Sequence, residues 1–420
     1  MKLLLLGVYL LITLLRFLLD WLNLRYRQQA DRPLPEVFAD QVDRDRLQRS
    51  DAYALAGDRL GFVEDLTGVI LTLLFLFSGL LPWYDRWIGA RSDHFVAGGL
   101  LFFGVLLLVQ LVVGIPFSLY RNFVLEERFG FNRMSFRLWC SDFGKSLLIG
   151  TILFLLLGGG ALWLVQLAPH SWWLWVWAFW AAVSLFLLYL SPFLIEPLFF
   201  TFAPLDNPDL EQRVRELLEQ AGVHAGKVLQ VDASRRSGHS NAYFTGIGKV
   251  KRVVLFDTLM DQLDDEELLA VLAHELGHWR CGHLRRRLIK TQVVALAVCG
   301  ASFALLQSGL LPGLLGLEAL SFAGQVLLLG WLGSLLAFFW TPVGSWRSRR
   351  DERQADGFAV DLLGSGRFLA SGLVKLAREN LSNLFPHPWY VAVYYSHPPL
   401  VERVLWLEKR RPAGEREEKK

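Results

Sequence analysis

The stretch DDEELLAVLAHELGHWRCGHLRRR, residues 264–287, carries the strongest structural signal in the chain. Its two opening aspartates are suited to cap a helix, and the acidic first turn and apolar centre that follow predict that helix. The pentad HELGH, residues 274–278, lies inside it. Because residues four apart share a helical face, His274 and His278 can reach one metal ion.

Glu275 lies between these two histidines and is the candidate catalytic carboxylate. In zinc hydrolases the metal makes a water molecule acidic, and a nearby carboxylate takes its proton. The pattern therefore predicts a hydrolase with one zinc ion per chain, with His274 and His278 as ligands. The competing interpretation is a surface helix with incidental histidines.

A catalytic zinc site needs a third protein ligand and an open fourth position. His283 follows His274 by nine residues, which places it on the opposite face of a continuous helix. Cys281 would give an unusual ligand set, and we interpret it as a bystander thiol. Neither residue is therefore predicted to bind the metal.

A better third ligand lies downstream in SRRDERQADGFAVDLL, residues 348–363. Glu352 and Asp356 are four apart and share a helical face. Glu352 can complete the site, and Asp356 can accept a hydrogen bond from a ligating imidazole and so fix its tautomer. A solvated acidic helix would show the same spacing.

The remainder of the chain predicts a membrane protein. Apolar residues make up 53% of it and charged residues 20%, and the net charge of +3 is too small to indicate a nucleic-acid partner. A span needs about 20 mostly apolar residues. Hydropathy predicts seven spans, at 3–23, 66–88, 96–119, 146–168, 171–195, 291–312 and 323–343. We interpret the first as a retained span and not a signal peptide, because it is long and lacks a cleavage site.

Two polar regions interrupt the spans, and the loops alternate between basic and neutral. This alternation predicts an external N-terminus and a cytoplasmic location for both polar regions. The segments 228–234, 240–246 and 251–257 predict a short sheet just before the metal helix. An edge strand of such a sheet can hold a peptide in extended form.

These residues are similar to a known family. The chain resembles the CAAX prenyl protease 1 family of integral-membrane zinc endopeptidases over nearly its whole length. The matching segments are FGFN (129–132), PLFFTFAPL (197–205), SNAYFTG (240–246), HELGHW (274–279), SRRDERQAD (348–356), ENLSNL (379–384) and SHPPLVER (396–403). Arg353 departs from the family, which usually has an aromatic residue there.

The resemblance implies a role for each matched residue and a large chamber enclosed by seven helices. The implied residues are the zinc ligands His274, His278 and Glu352, the base Glu275, the supporting Asp356, the pair His397 and Arg403 near the site, and Asn241 and Ala242 in a substrate-pairing strand. From the sequence alone, Asn241 could equally be a turn residue and His397 a loop histidine. The functional interpretation of His397 is a donor to the oxyanion, whereas Arg403 could orient His397 or contact the intermediate.

We therefore expect a mainly α-helical polytopic membrane protein, with seven transmembrane helices around a chamber and a cytoplasmic HExxH zinc-protease domain that contains a small β-sheet. The expected parts are five transmembrane helices in 1–200, the protease domain in 201–290, two transmembrane helices in 291–345, and a cytoplasmic segment with the third ligand and the His/Arg pair in 346–420.

The expected function is a membrane-embedded zinc endopeptidase, acting in CAAX-type C-terminal processing or in membrane-protein quality control. Its expected partners are the lipid bilayer and a peptide or protein substrate, prenylated or membrane-derived, with no nucleic acid. The alternative is a transporter or scaffold with a structural metal site closed by a fourth ligand. The C-terminal EREEKK fits no retrieval signal, which favours a bacterial inner membrane over the endoplasmic reticulum, with the active site toward the cytoplasm.

Overall fold

The computed structural model describes residues 1–28, 38, 43–223, 226–245 and 252–410. Within these ranges, seven helices are long and apolar enough to cross a membrane, as the sequence predicted. They are α1 (Lys2–Arg27), α2 (Arg44–Phe77), α4 (Phe95–Tyr120), α5 (Phe136–Leu167), α6 (Trp172–Leu194), α11 (His283–Gln307) and α13 (Phe322–Leu363). The α4 helix continues through a π-helical segment, Arg121–Glu126, into a last turn at Glu127–Phe129.

These helices carry a large apolar surface. Side chains such as Leu148 and Leu336 are 63% and 65% exposed, and water-soluble monomers rarely leave so much contiguous apolar surface uncovered. A helix satisfies its own backbone hydrogen bonds, so it can face lipid without unpaired polar groups. The fold is that of a polytopic membrane protein.

The second predicted span differs most from its observed position. The sequence predicted a span at 66–88, but α2 ends at Phe77, and a separate short helix, α3 (Leu80–Gly89), follows it. Gly79 between them has a φ of 93°, a left-handed conformation that glycine adopts readily. The apolar sequence continues through this turn, which is why hydropathy alone misplaced the span.

The small sheet is confirmed and has four strands. They are β1 (Phe202–Pro204), β2 (Lys227–Val231), β3 (Ala242–Thr245) and β4 (Arg252–Phe256), in the order β1-β2-β4-β3. The β2–β4 pair is parallel and the other two pairs are antiparallel. The strand β1 was not predicted, because three residues carry almost no periodic signal. The strand β3 lies at one edge of the sheet.

The main hydrophobic core joins this sheet to five of the remaining helices and to the second half of α13. The remaining helices are α7 (Glu196–Phe199), α8 (Pro208–Gln220), α9 (Asp257–Gln262), α10 (Asp265–Arg280), α12 (Leu310–Leu314), α14 (Arg367–Glu379), α15 (Pro388–Tyr394) and α16 (Leu400–Glu408). Of these, α8, α9, α10, α14 and α16 contribute to this core. Leu255 of β4, Leu272 of α10 and Leu407 of α16 are fully buried in this core. The helix with the HELGH pentad, α10, is therefore embedded in packed structure and is not a surface helix.

The longest helix, α13, connects the membrane part to this core. Its 42 residues run without a break, which corresponds to a length of about 63 Å at the usual helical rise. The first half contains the last predicted span. The second half carries Glu352 and Asp356 to α10.

Candidate active site

The helix α10 begins at a fixed point because its first turn is capped in both directions. The Asp264 side chain accepts a hydrogen bond from the Glu267 backbone N–H at 3.0 Å, and the Glu267 carboxylate accepts one from the Asp264 N–H at 3.2 Å. Glu267 is buried, and it also accepts hydrogen bonds from Ser371 and Lys375, each at 2.6 Å. Reciprocal capping of this kind typically contributes about 1 kcal/mol.

Two helices approach each other closely at Gly277, inside the HELGH pentad. A Cβ added at Gly277 would lie 2.9 Å from both the Cα and the carbonyl oxygen of Ala355. Only glycine allows the backbones of α10 and α13 to pack at this distance. The contact brings the two histidines of α10 to the carboxylates of α13.

The side chains of three residues from these helices converge on one point. These residues, His274, His278 and Glu352, are called the converging group. His274 Nε2 and His278 Nε2 are 3.2 Å apart. Glu352 places Oε2 3.4 Å from His274 Nε2 and Oε1 3.2 Å from His278 Nε2. Donor atoms around a tetrahedral zinc ion, at about 2.0–2.1 Å from it, lie roughly 3.3 Å from one another. Both the separations and the donor set therefore fit a catalytic zinc site.

The far side of His274 faces a buried ion pair. Asp356 Oδ1 lies 2.9 Å from His274 Nδ1. Arg403 donates to both oxygens of Asp356, at 2.7 Å from Nε and 2.6 Å from Nη2. Burial and the Arg403 charge lower the pKa of His274, but the hydrogen bonds to Asp356 and Glu352 outweigh them and raise it.

His397, which lies shortly before α16, approaches the Glu352 carboxylate. Its Nδ1 lies 2.8 Å from Glu352 Oε2, and its side chain is 61% exposed. Glu275 is half-buried next to the converging group, and no described residue hydrogen-bonds or pairs with its carboxylate. The structure therefore brings together His397 and the other residues predicted around the metal, and it leaves the predicted base free.

Asn241 and Ala242 lie at the start of β3, as the resemblance implied for a substrate-pairing strand. Ala242 is buried and pairs with Leu255, whereas Asn241 is exposed and accepts a backbone hydrogen bond from Phe256 at 3.1 Å. The strand packs against α10. Within the described residues, no hydrogen bond or ion pair joins Asn241 or Ala242 to the converging group.

The position of His283 differs from the continuous helix assumed from the sequence. The helix α10 ends at Arg280, and Gly282, with a φ of 69°, turns the chain into α11. His283 is therefore directed back toward His278, with 2.9 Å between their Nδ1 atoms. Among the described residues, the possible metal-binding group contains neither His283 nor Cys281, which is a half-buried free thiol.

Comparisons with known proteins agree with this geometry. A family model described as CAAX prenyl protease N-terminal, five membrane helices, matches residues 23–201. A second model, described as peptidase family M48, matches residues 204–411. The two matches together span almost the whole chain, and the second contains every residue of the converging group.

Similar proteins include the CAAX prenyl protease 1 homolog of Arabidopsis thaliana, 34% identical over 92% of this chain and 93% of that protein. CAAX prenyl protease 1 of Saccharomyces cerevisiae is 31% identical over 91% of this chain and 90% of that protein. The crystal structure of S. mikatae Ste24p is similar with a TM-score of 0.85 at 29% identity, covering 95% of this chain and 98% of that one.

Proposed function

The chain belongs to peptidase family M48 and is a membrane metalloprotease, and on that premise we propose that it is a zinc endopeptidase of the CAAX-processing type. The observation that carries this proposal is the convergence of His274, His278 and Glu352 beside the unpaired Glu275. Two imidazoles and one carboxylate form a ligand set typical of catalytic zinc in proteases.

His274, His278 and Glu352 would hold one zinc ion through the two Nε2 atoms and the carboxylate, whose closest separations are 3.2–3.4 Å. When bound, zinc polarises the scissile carbonyl and makes an adjacent water molecule more acidic. Asp356 accepts the Nδ1 proton of His274 and so keeps Nε2 free to act as a ligand. Arg403 holds Asp356 in place by its two hydrogen bonds.

Glu275 is the proposed general base. It takes a proton from the attacking water and later delivers it to the leaving amine. Its carboxylate is suited to both steps because no described residue holds it in a hydrogen bond or a close ion pair, although the charge of Arg403 acts on it from farther away. General acid–base catalysis of this kind contributes about 10²–10⁴-fold to the rate.

His397 is the proposed donor to the oxyanion that forms when water attacks the carbonyl. Its Nδ1 lies 2.8 Å from Glu352 Oε2, which leaves Nε2 as the ring nitrogen available to the substrate oxygen. Donors of this kind contribute several kcal/mol in other hydrolases. From the sequence, Arg403 could orient His397 or contact the reaction intermediate. Its two hydrogen bonds to Asp356 favour a third role, in which Arg403 orients His274 through Asp356.

A structural metal site is the alternative, and the size of the ligand group argues against it. Structural zinc sites are closed by four protein ligands, whereas catalytic sites keep one position open. Among the described residues, the group has three members. This leaves a position for water or a substrate carbonyl and favours a hydrolase over a transporter or scaffold.

The substrate would bind as an extended peptide along the free edge of β3, starting at Asn241 and Ala242. An edge strand offers unpaired backbone groups that can fix such a peptide next to α10. The relatives named CAAX prenyl protease 1 support a C-terminal CAAX sequence, prenylated or membrane-derived, as the substrate class. A chamber enclosed by the seven helices, with room for a lipid-modified tail, forms part of this proposal.

For the membrane arrangement, we retain the organisation expected from the sequence. The bundle 1–200 and the helices of 291–345 lie in the bilayer, and the regions 201–290 and 346–420 lie in the cytoplasm. The alternating basic loops support this orientation. The membrane is the bacterial inner membrane, or the endoplasmic reticulum in a eukaryote.

The proposal is tested with Glu275→Gln in the full-length protein. This variant should keep about one zinc ion per chain and lose about 10²–10⁴-fold in peptide cleavage. The matched control is Glu266→Gln, an exposed glutamate on the same helix that pairs with Arg213 at 2.6 Å. Full cleavage activity in Glu275→Gln would rule out the proposed base.

The substrate class needs a separate experiment. Matched peptides that end in a CAAX sequence, with and without an isoprenyl group on the cysteine, are compared with an unrelated unfolded tail. The proposal expects the CAAX peptides to release a C-terminal tripeptide, whereas equal cleavage of the unrelated tail at many bonds would indicate quality control instead.

A further inference from the structure

His283 is a buried histidine that the mechanism above does not use, although it contacts a proposed zinc ligand. Its side chain is 7% exposed. Its Nδ1 lies 2.9 Å from His278 Nδ1, and its Nε2 lies 3.1 Å from Gln354 Oε1. The three side chains form a continuous hydrogen-bonded row that begins at the metal-binding group.

The direction of the protons along this row follows from the role of His278. Its Nε2 faces His274 Nε2 and Glu352 Oε1, each at 3.2 Å, so Nε2 must carry the free electron pair for a metal. A neutral imidazole then has its only proton on Nδ1. That proton can only be directed to His283 Nδ1, which must accept it.

The second half of the row agrees with this assignment. If His283 accepts at Nδ1, its own proton is on Nε2, opposite Gln354 Oε1. Arg286 Nη2 also approaches this oxygen, at 3.3 Å, so an acceptor is needed there. Asp351 Oδ1 lies 3.6 Å from His283 Nε2 and can attract the same proton from a distance too long for a hydrogen bond.

We propose that His283 is a positioning residue that fixes the tautomer and ring orientation of His278 through the His278–His283–Gln354 row. The inference rests on the proposed role of His278 as a zinc ligand. Partners behind metal-binding histidines raise the basicity of the ligand and hold its ring in place. Loss of such a partner typically lowers metal affinity about 10–100-fold.

The turn at Gly282 makes this arrangement possible. A continuous helix would direct His283 away from His278, whereas the left-handed conformation of Gly282 ends one helix and starts the next within two residues. The same turn makes His283 the first residue of α11, which fixes the imidazole between two helices.

The test measures zinc release and not proteolysis. Full-length protein carrying Glu275→Gln, purified in detergent, is loaded with zinc, and transfer of the metal to an excess of chelator is followed with time. His283→Phe keeps the aromatic bulk and removes both nitrogens, whereas His283→Asn keeps an acceptor near the Nδ1 position. Cys281→Ala is the matched control, because this thiol lies in the same turn and makes no polar contact with any residue that the structure describes.

The proposal expects His283→Phe to release zinc about 10–100-fold faster than the parent protein. His283→Asn should restore slow release, and Cys281→Ala should match the parent. Gln354→Leu, which leaves His283 in place and frees its Nε2 proton, should accelerate release by a smaller factor. The melting temperature of each metal-free variant should match that of the metal-free parent, and cobalt(II) in the site should show an altered visible spectrum only in His283→Phe and Gln354→Leu.

Two results would overturn the proposal. One is zinc release from His283→Phe at the parent rate, and the other is equally fast release from His283→Phe and His283→Asn. A parent protein that holds no zinc would overturn the ligand assignment of His278 itself, so the two failures can be told apart.

Discussion

The two histidines of the HELGH pentad have different surroundings. The His274 side chain is 6% exposed and faces Asp356, which Arg403 holds by two hydrogen bonds. The His278 side chain is 28% exposed and faces the neutral imidazole of His283. One proposed ligand, His274, is thus supported by a buried ion pair, and the other, His278, by a neutral hydrogen-bonded row.

This difference predicts unequal tolerance to change. Two buried charges depend on each other, because the loss of one leaves the other without compensation, at about 3–5 kcal/mol. Breaking a neutral hydrogen-bonded row leaves only one buried polar group without a partner, which costs about 1–3 kcal/mol of stability. The His274 side should therefore be essential for folding, and the His278 side mainly for metal retention.

The strongest test of this contrast is Asp356→Ala. This substitution removes both hydrogen bonds of the buried Arg403 to a carboxylate and leaves it only the more distant Glu352, 3.7 Å away. The free energy of unfolding of the metal-free protein should therefore fall by about 3–5 kcal/mol. Chemical unfolding in detergent measures it. Asp351→Ala, on the same helix but 39% exposed, should stay within about 0.5 kcal/mol. If both variants are equally stable, the ion pair is not a structural requirement.

His397→Phe tests whether the residues around His274 also take part in catalysis. His397 contacts Glu352 Oε2, the oxygen that faces His274. Cleavage should slow by about 10²–10³-fold, equivalent to about 2.7–4 kcal/mol, while zinc is retained. Zinc analysis and kcat on one peptide are the two measurements. His170→Phe, in the exposed turn between α5 and α6, is the control. Loss of zinc in His397→Phe would instead indicate a role in ligand orientation.

Gly277→Ala should affect both histidines together. The added methyl group meets the Ala355 backbone at 2.9 Å, so α10 and α13 must separate, at about 1–3 kcal/mol. Zinc affinity should fall because Glu352 moves away from both imidazoles. Gly344→Ala, on α13 with no atom near the added methyl, should be neutral or slightly stabilising. Unchanged zinc affinity in Gly277→Ala would show that the close approach does not set the ligand geometry.

The smallest effect is expected for a residue that contacts neither the ion pair beside His274 nor the hydrogen-bonded row beside His278. Arg353 pairs with Glu402 at 2.6 Å, and both side chains are more than half exposed. Arg353→Ala should change stability by less than about 1 kcal/mol and leave zinc release unchanged, because exposed ion pairs contribute little. Faster zinc release in this variant would place Arg353 within the support of the site, although the structure shows it only at the surface.

Much of the architecture could be predicted from the sequence because its signals are local. Hydropathy identified the seven spans, and the acidic opening of 264–267 predicted the start of the metal helix, which begins at Asp265. The span at 66–88 was misplaced because a turn at Gly79 interrupts apolar sequence without adding polar residues. Hydropathy measures composition, and it does not detect a change of backbone direction.

The surroundings of the site were harder to predict, because they depend on contacts between distant segments. Nothing in the sequence near Arg403 shows that it contacts Asp356, 47 residues earlier. The position of His283 carried a signal that was not used, since glycine just past the last helical residue commonly ends a helix. Treating 264–287 as one helix placed His283 on the wrong side of the metal helix.

The unbroken course of α13 also restricts how this protein can change length. Each residue inserted between the last predicted span, which ends at Val343, and Glu352 would advance the carboxylate by about 1.5 Å and rotate it by about 100° around the helix axis. An insertion of about seven residues is the shortest that nearly restores its original direction, and it moves the carboxylate by about 10 Å. A loop in the same place would absorb insertions of any size, whereas this helix permits almost none.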